Sequence, residues 1–161
     1  MSILMFNKPR LCGKIKGMDK LIIKDEKQTK KFGLLLADKL VSGSVVALIG
    51  DLGTGKTALT KYIAEGLGIK EVITSPTFTI VQEYHDGRLP LYHFDVYRIN
   101  DVEEMYEIGY EEYFFGNGVC IVEWADLITE IIPEDAVVIN ITYGQNEGER
   151  IYEIKGLEAG L

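Results

Sequence analysis

The residues most able to do chemistry in this chain are consecutive: Gly50-Asp51-Leu52-Gly53-Thr54-Gly55-Lys56-Thr57. They fit G-x-x-x-x-G-K-[ST], a phosphate-binding loop. Glycines at these spacings let backbone N–H groups turn inward around anionic oxygens, and a helix starting just after them aims its positive end at the same point. Lys56 is then placed to reach the β- and γ-phosphates, and the Thr57 hydroxyl to ligate Mg2+. Leu52, Gly53, Thr54, Gly55, Lys56 and Thr57 are the candidate nucleotide contacts. The pattern implies a nucleoside triphosphate.

Such a loop needs an acid at the C-terminal end of a neighbouring strand to complete the metal's coordination. Two positions qualify. Glu123 ends the run Val119-Cys120-Ile121-Val122, and Asp95 ends Leu91-Tyr92-His93-Phe94. Spacing does not rank them: either could be a direct ligand, act through water or orient an attacking water. Lys56, Asp95 and Glu123 are the catalytic candidates. His93 shares a strand face with Asp95 and reads as a structural residue, hydrogen-bonded to hold the strand end or the Asp95 carboxylate. His85 reads as a surface turn residue. Arg98 either stabilises charge on a transferring phosphoryl group or pairs with a nearby acid. Trp124, the only tryptophan, reads as wedged against the core rather than as a platform for a base.

The elements that must position these groups are legible from periodicity. Leu21-Ile22-Ile23 reads as the first strand. Phe32, Leu35, Leu36, Leu40 and Val41 recur at helical spacing within 25–41, and Gly43 is a suitable stop. The apolar run Val45–Ile49 predicts a strand feeding the loop, and 58–67 a helix closed by Gly68. Thr74 to Thr77 reads as loop. Phe78–Tyr84 and Leu91–Phe94 read as strands around a turn at 85–88. Residues 101–115 predict one or two short acidic helices interrupted near Gly109, and Val119–Val122 a buried strand. Val137–Tyr143 and Arg150–Lys155 read as the last two strands. The expected fold is α/β: a single domain with a mixed β-sheet flanked by helices.

At 161 residues, 47% of them hydrophobic, the chain can bury one substantial core. Its 17 basic and 25 acidic side chains give −8, which argues against a broad direct contact with nucleic acid. Residues 1–17 carry Lys8, Arg10, Lys14 and Lys16 without an acid, and read as a disordered basic extension before a domain at 18–161. From Ile99 to Glu149 there are thirteen acids and no Lys or Arg. That stretch is a solvated face or a surface that docks on a basic partner. Cys12 and Cys120 form no C-x-x-C, so neither a metal site nor a redox pair is expected. No signal core or membrane-length apolar run is present, which predicts a cytoplasmic protein.

Four blocks then occur in order: the phosphate loop, Ser75-Pro76-Thr77-Phe78-Thr79, His93-Phe94-Asp95-Val96-Tyr97-Arg98 and Val122-Glu123-Trp124. Together, across roughly 21–156, they resemble the TsaE family, small bacterial ATPases of tRNA threonylcarbamoyladenosine biosynthesis. The resemblance implies a P-loop fold and Mg2+-dependent ATP hydrolysis, with Thr57 and Glu123 as metal ligands and Asp95 supporting the metal or orienting water. It implies that Ser75 and Thr77 face the γ-phosphate, that Thr29 lies near the adenosine and that Arg150 lies against the base. ATP rather than GTP rests on this likeness, together with the absence of an Asn-Lys-x-Asp guanine signature. It further implies the partners TsaD and TsaB, with tRNA met only through their complex, and slow turnover without them. The competing expectations are a nucleotide-dependent binding module in which hydrolysis is incidental and, with less support, a small-molecule kinase. The kinase reading lacks a basic lid between Arg98 and Arg150.

Overall fold

The computed structural model describes residues 3–4, 19–76 and 78–157. Its centre is a strand, β3 (Val45–Ile49), buried between two layers. On one side of it lies β6 (Val119–Glu123) and on the other β7 (Val137–Tyr143), both parallel to it. β5 (Leu91–Asp95) continues the parallel set beyond β6, and β4 (Val81–Tyr84) closes that edge antiparallel. At the far side β8 (Arg150–Lys155) and β2 (Asp19–Ile23) add antiparallel strands, and β1 (Ile3–Leu4) pairs with Lys20 and Leu21. The sheet order is β1-β2-β8-β7-β3-β6-β5-β4.

Alternation along the strands sorts side chains between two cores. Val46 and Leu48 of β3 and Val119 and Ile121 of β6 face α1 (Glu26–Lys39) and α2 (Lys56–Gly66), packing with Phe32, Leu36, Leu59 and Ile63. Val45, Ala47, Cys120 and Val122 face the other way. There they meet Met105 of α3 (Glu103–Glu107), Phe114 of α4 (Tyr110–Phe114) and Ile128 of a 3₁₀ segment, Ala125–Ile131. The central strands are covered on both faces, which is why they are almost continuously apolar. α1 starts where Asp25 accepts the Gln28 N–H at 2.9 Å, and Gln28 in turn accepts the Lys24 N–H at 2.8 Å. The first of these bonds satisfies a donor that a helix start leaves unpaired, and the second ties the preceding residue to the same turn.

The architecture is the expected single α/β domain with a mixed sheet. Three local readings change. α2 begins at Lys56 rather than Ala58, so Lys56 and Thr57 are part of its first turn. The strand expected from Phe78 starts only at Val81. Before it the chain turns tightly: Ile80 N–H reaches Pro76 O at 3.0 Å, and Ile80 holds φ at 66°. The 3₁₀ segment had no counterpart in the periodicity, its short turns following a left-handed Trp124 with φ of 63°. The expectation of disorder over 1–17 falls outside the described residues except at Ile3 and Leu4.

Candidate nucleotide and metal site

The loop leaves β3 at Gly50, where the backbone is crowded. A Cβ there would lie 2.6 Å from both Ile141 O and Thr54 Oγ1. Gly53 (φ 80°) and Gly55 (φ 101°) then take left-handed conformations that carry the chain around into α2. Thr54 ties the turn by donating its hydroxyl to Asp51 O at 2.8 Å. From behind, Arg150 Nε donates to Thr54 O at 3.0 Å, and Tyr143 Oη to Leu52 O at 2.9 Å.

The two strand-end acids are brought side by side by register. β5 and β6 pair so that Asp95 stands opposite Glu123. Both are buried. Like charges at paired positions repel, and each carboxylate is accordingly surrounded by donors. Asp95 Oδ2 accepts the Ser75 hydroxyl at 2.9 Å and its Oδ1 accepts the Tyr97 N–H at 3.0 Å. Glu123 Oε2 accepts the Thr57 hydroxyl at 3.0 Å. Its Oε1 accepts His93 Nε2 at 2.8 Å and lies 3.3 Å from the Thr60 hydroxyl. Thr60 has one proton and a nearer acceptor, Lys56 O at 2.9 Å, so His93 is the main donor to Oε1.

Lys56 lies beside this pair. Its Nζ donates to Gly50 O at 2.5 Å and Asp51 O at 2.9 Å, and sits 4.1 Å from the centroid of the Trp124 ring. Burial pulls its pKa below the usual lysine value, against the opposing pull of Glu123, Asp95, Asp126 and Asp51. In this position the ammonium satisfies the carbonyls of its own loop.

These groups line a cleft of about 390 Å³ that contains Leu52, Gly53, Gly55, Lys56, Thr57, Ser75, Asp95 and Glu123. Tyr97 and Trp124, their rings tilted at 48° with centroids 4.7 Å apart, form one wall. Trp124 both packs on the core and faces the cleft. The donor set is oxygen only, a threonine hydroxyl and two carboxylates in one cleft. This suits a hard cation that keeps waters and phosphate oxygens as its remaining ligands. Among the described residues no group of three or more His, Cys, Asp or Glu is arranged to hold a metal by itself.

Not every expected residue lines the cleft. Thr29 sits in α1 with its hydroxyl 3.4 Å from Asp25 O. Arg150 braces the loop, its guanidinium 4.7 Å from the Tyr143 ring centroid. Arg98 stacks its guanidinium 4.6 Å from the centroid of the exposed Phe78 ring. Thr77 lies outside the described residues. The structure also adds groups that sequence spacing passed over. Thr60 is one turn along α2 from Lys56, and Tyr97 follows Asp95. The partner of His93 is Glu123 on the adjacent strand, reached diagonally, rather than Asp95.

Known proteins share the sequence and fold of this chain. The family model described as threonylcarbamoyl adenosine biosynthesis protein TsaE matches residues 23–152. The chain is 50% identical to the TsaE protein of Bacillus subtilis over 130 residues, 80% of this chain and 81% of that one. It is 44% identical to the TsaE protein of Treponema pallidum over 120 residues, 74% and 88% of the two chains. The crystal structure of YdiB from Bacillus subtilis superposes with a TM-score of 0.72 at 42% identity, covering 86% of this chain and 84% of that one. No helix among the described residues is long and apolar enough to cross a membrane. A family model that spans most of the chain and a relative sharing half of its aligned residues show the lineage: this chain is a member of the TsaE family of tRNA threonylcarbamoyladenosine biosynthesis proteins.

Proposed function

We propose that this chain is a Mg2+-dependent ATPase whose hydrolysis cycle serves the threonylcarbamoyl transfer machinery. One observation carries the reading: the Thr57 hydroxyl and the Glu123 carboxylate meet at 3.0 Å, in one cleft with Lys56 and Asp95. A hydroxyl and a carboxylate brought together by α2 and β6 beside a phosphate loop are the two protein ligands that a nucleotide-bound Mg2+ requires. When bound, the cation neutralises charge building on the β- and γ-oxygens.

The protein's own part follows from its groups. Backbone N–H groups from Gly53 to Thr57, at the start of α2, receive the phosphates. Lys56 exchanges its bonds to Gly50 O and Asp51 O for phosphate oxygens, so binding leaves no buried ammonium unpaired. Asp95, held by Ser75 and the Tyr97 N–H, has fixed oxygens with which to orient a water toward the γ-phosphate. Because Ser75 reaches Asp95 from a separate loop, the water-orienting group responds to whatever moves that loop.

ATP is the proposed nucleotide, and TsaD and TsaB are the proposed partners, tRNA being met through their complex. The net charge of −8 suits a protein that docks on a protein rather than on tRNA. Turnover of the purified chain, alone and with TsaD and TsaB, tests this. Stimulated, Mg2+-dependent hydrolysis that Lys56→Ala abolishes is the expected result. No hydrolysis under any of these conditions would refute it. Variants Glu123→Ala and Asp95→Ala that bind ATP, fail to hydrolyse it and still support tRNA modification in cells would favour a nucleotide-dependent binding module instead.

A further inference from the structure

We propose that His93 is the positioning residue for Glu123, fixing the carboxylate in the orientation in which it meets the metal. This rests on the reading of Glu123 as a metal ligand and goes beyond it, to what aims that ligand. His93 is fully buried in β5, and its side chain's only hydrogen bond among the described residues is the 2.8 Å contact from Nε2 to Glu123 Oε1. Nδ1 has no partner among those residues. Burying an imidazole with one nitrogen unsatisfied costs stability that an apolar side chain at the same place would not. That cost is borne where the other nitrogen grips a carboxylate.

The geometry explains what the grip accomplishes. A glutamate side chain has three rotatable bonds and cannot present a defined oxygen on its own. Here the two oxygens are held from different elements: Oε2 by Thr57 of α2, Oε1 by His93 of β5. Thr57 is itself a proposed ligand, so its hydroxyl is not a constant anchor. His93 stands on the sheet, apart from the loop and its helix, and holds Oε1 whatever the Thr57 hydroxyl binds. Thr60 is a weaker anchor because its proton is shared with Lys56 O. A hydrogen-bond partner that orients a ligating group contributes about 10- to 100-fold to metal affinity.

The test uses the full chain and measures affinity for a non-hydrolysable ATP analogue by calorimetry, with Mg2+ and with a chelator. In the wild type Mg2+ should strengthen binding. His93→Leu, which fills the space without a donor, should lose about 10- to 100-fold of that Mg2+-dependent gain while binding in chelator is unchanged. His93→Gln places an amide N–H near the Nε2 position and should recover most of the gain. A His93→Leu protein with the full wild-type gain would overturn the proposal, as would a His93→Gln protein as impaired as His93→Leu. If His93→Leu does not fold, His93→Asn, whose amide ends short of the carboxylate, takes its place under the same criterion. A wild type indifferent to Mg2+ would instead overturn the metal-ligand reading beneath it.

Discussion

Removing the Glu123 carboxylate in two ways should separate its structural work from its chemical work. In Glu123→Ala, the His93 ring loses its one partner among the described residues and is left buried with both nitrogens unpaired, and a cavity opens next to it. Orphaning a buried polar group costs about 1–3 kcal/mol, and truncating one member of a buried pair about 3–5 kcal/mol in all. In Glu123→Gln the amide oxygen still accepts from His93, and the amide N–H₂ donates to the Thr57 hydroxyl, which turns to receive it. Charge-assisted bonds become neutral ones at a cost of about 1 kcal/mol, partly offset because Asp95 no longer faces a second negative charge. Urea unfolding should therefore place Gln within about 1 kcal/mol of wild type and Ala at least about 2 kcal/mol below Gln. Both variants should lose Mg2+-dependent hydrolysis, and Gln should still bind nucleotide in chelator. Equal destabilisation of the two would refute the hydrogen-bond network as described. Wild-type hydrolysis by Glu123→Gln would refute the carboxylate as a direct ligand.

Gly50→Ala should destabilise by about 1–3 kcal/mol and abolish nucleotide binding, because its Cβ would intrude on Ile141 O and Thr54 Oγ1. Thermal unfolding and calorimetry check this, and unchanged binding would contradict it. Arg150→Ala should weaken ATP and inorganic tripolyphosphate by similar factors if its role is to brace the carbonyls of Thr54 and Gly53. A loss confined to the nucleotide would place it against the base instead. Burial raises the Cys120 thiol from 9.0 to about 12 and the Tyr152 hydroxyl from 10.0 to about 12. Since the folded state keeps protons that the unfolded chain releases, stability is fully present below about pH 9 and declines as pH rises toward 12. Denaturation midpoints across pH 8 to 11 should show that fall, and a Cys12→Ser protein should leave Cys120 unreactive to thiol reagents at neutral pH unless unfolded.

The blocks that were legible share one property: each obeys a short local rule. Val45–Ile49 is apolar throughout because it lies between two layers, and the glycine spacing of the loop follows from positive φ at Gly53 and Gly55. The break between α3 and α4 was readable because Gly109, at φ 71°, stands between two acidic turns. Illegible features depend on partners far along the chain. Ile80 at φ 66° contradicts its own residue type, and only the turn from Pro76 and the pairing of Asp95 N–H with Ile80 O account for it. β4 therefore begins at Val81 rather than Phe78.

The identities and spacings of Gly50 to Thr57, Asp95 and Glu123 were enough to imply phosphate chemistry with two eligible acids. They could not say how those acids are arranged, since both readings satisfy the same one-dimensional pattern. The β5–β6 register decided it by setting Asp95 opposite Glu123, while α2 delivered Thr57 and Thr60 to one carboxylate and the loop at Ser75 reached the other. The same sheet brought His93 to Glu123 across strands, a contact between residues 30 positions apart. Local sequence dictates which groups are available, because backbone preference and periodicity act over a few residues. Which group serves which is set by strand order and register, and those are properties of the packed whole.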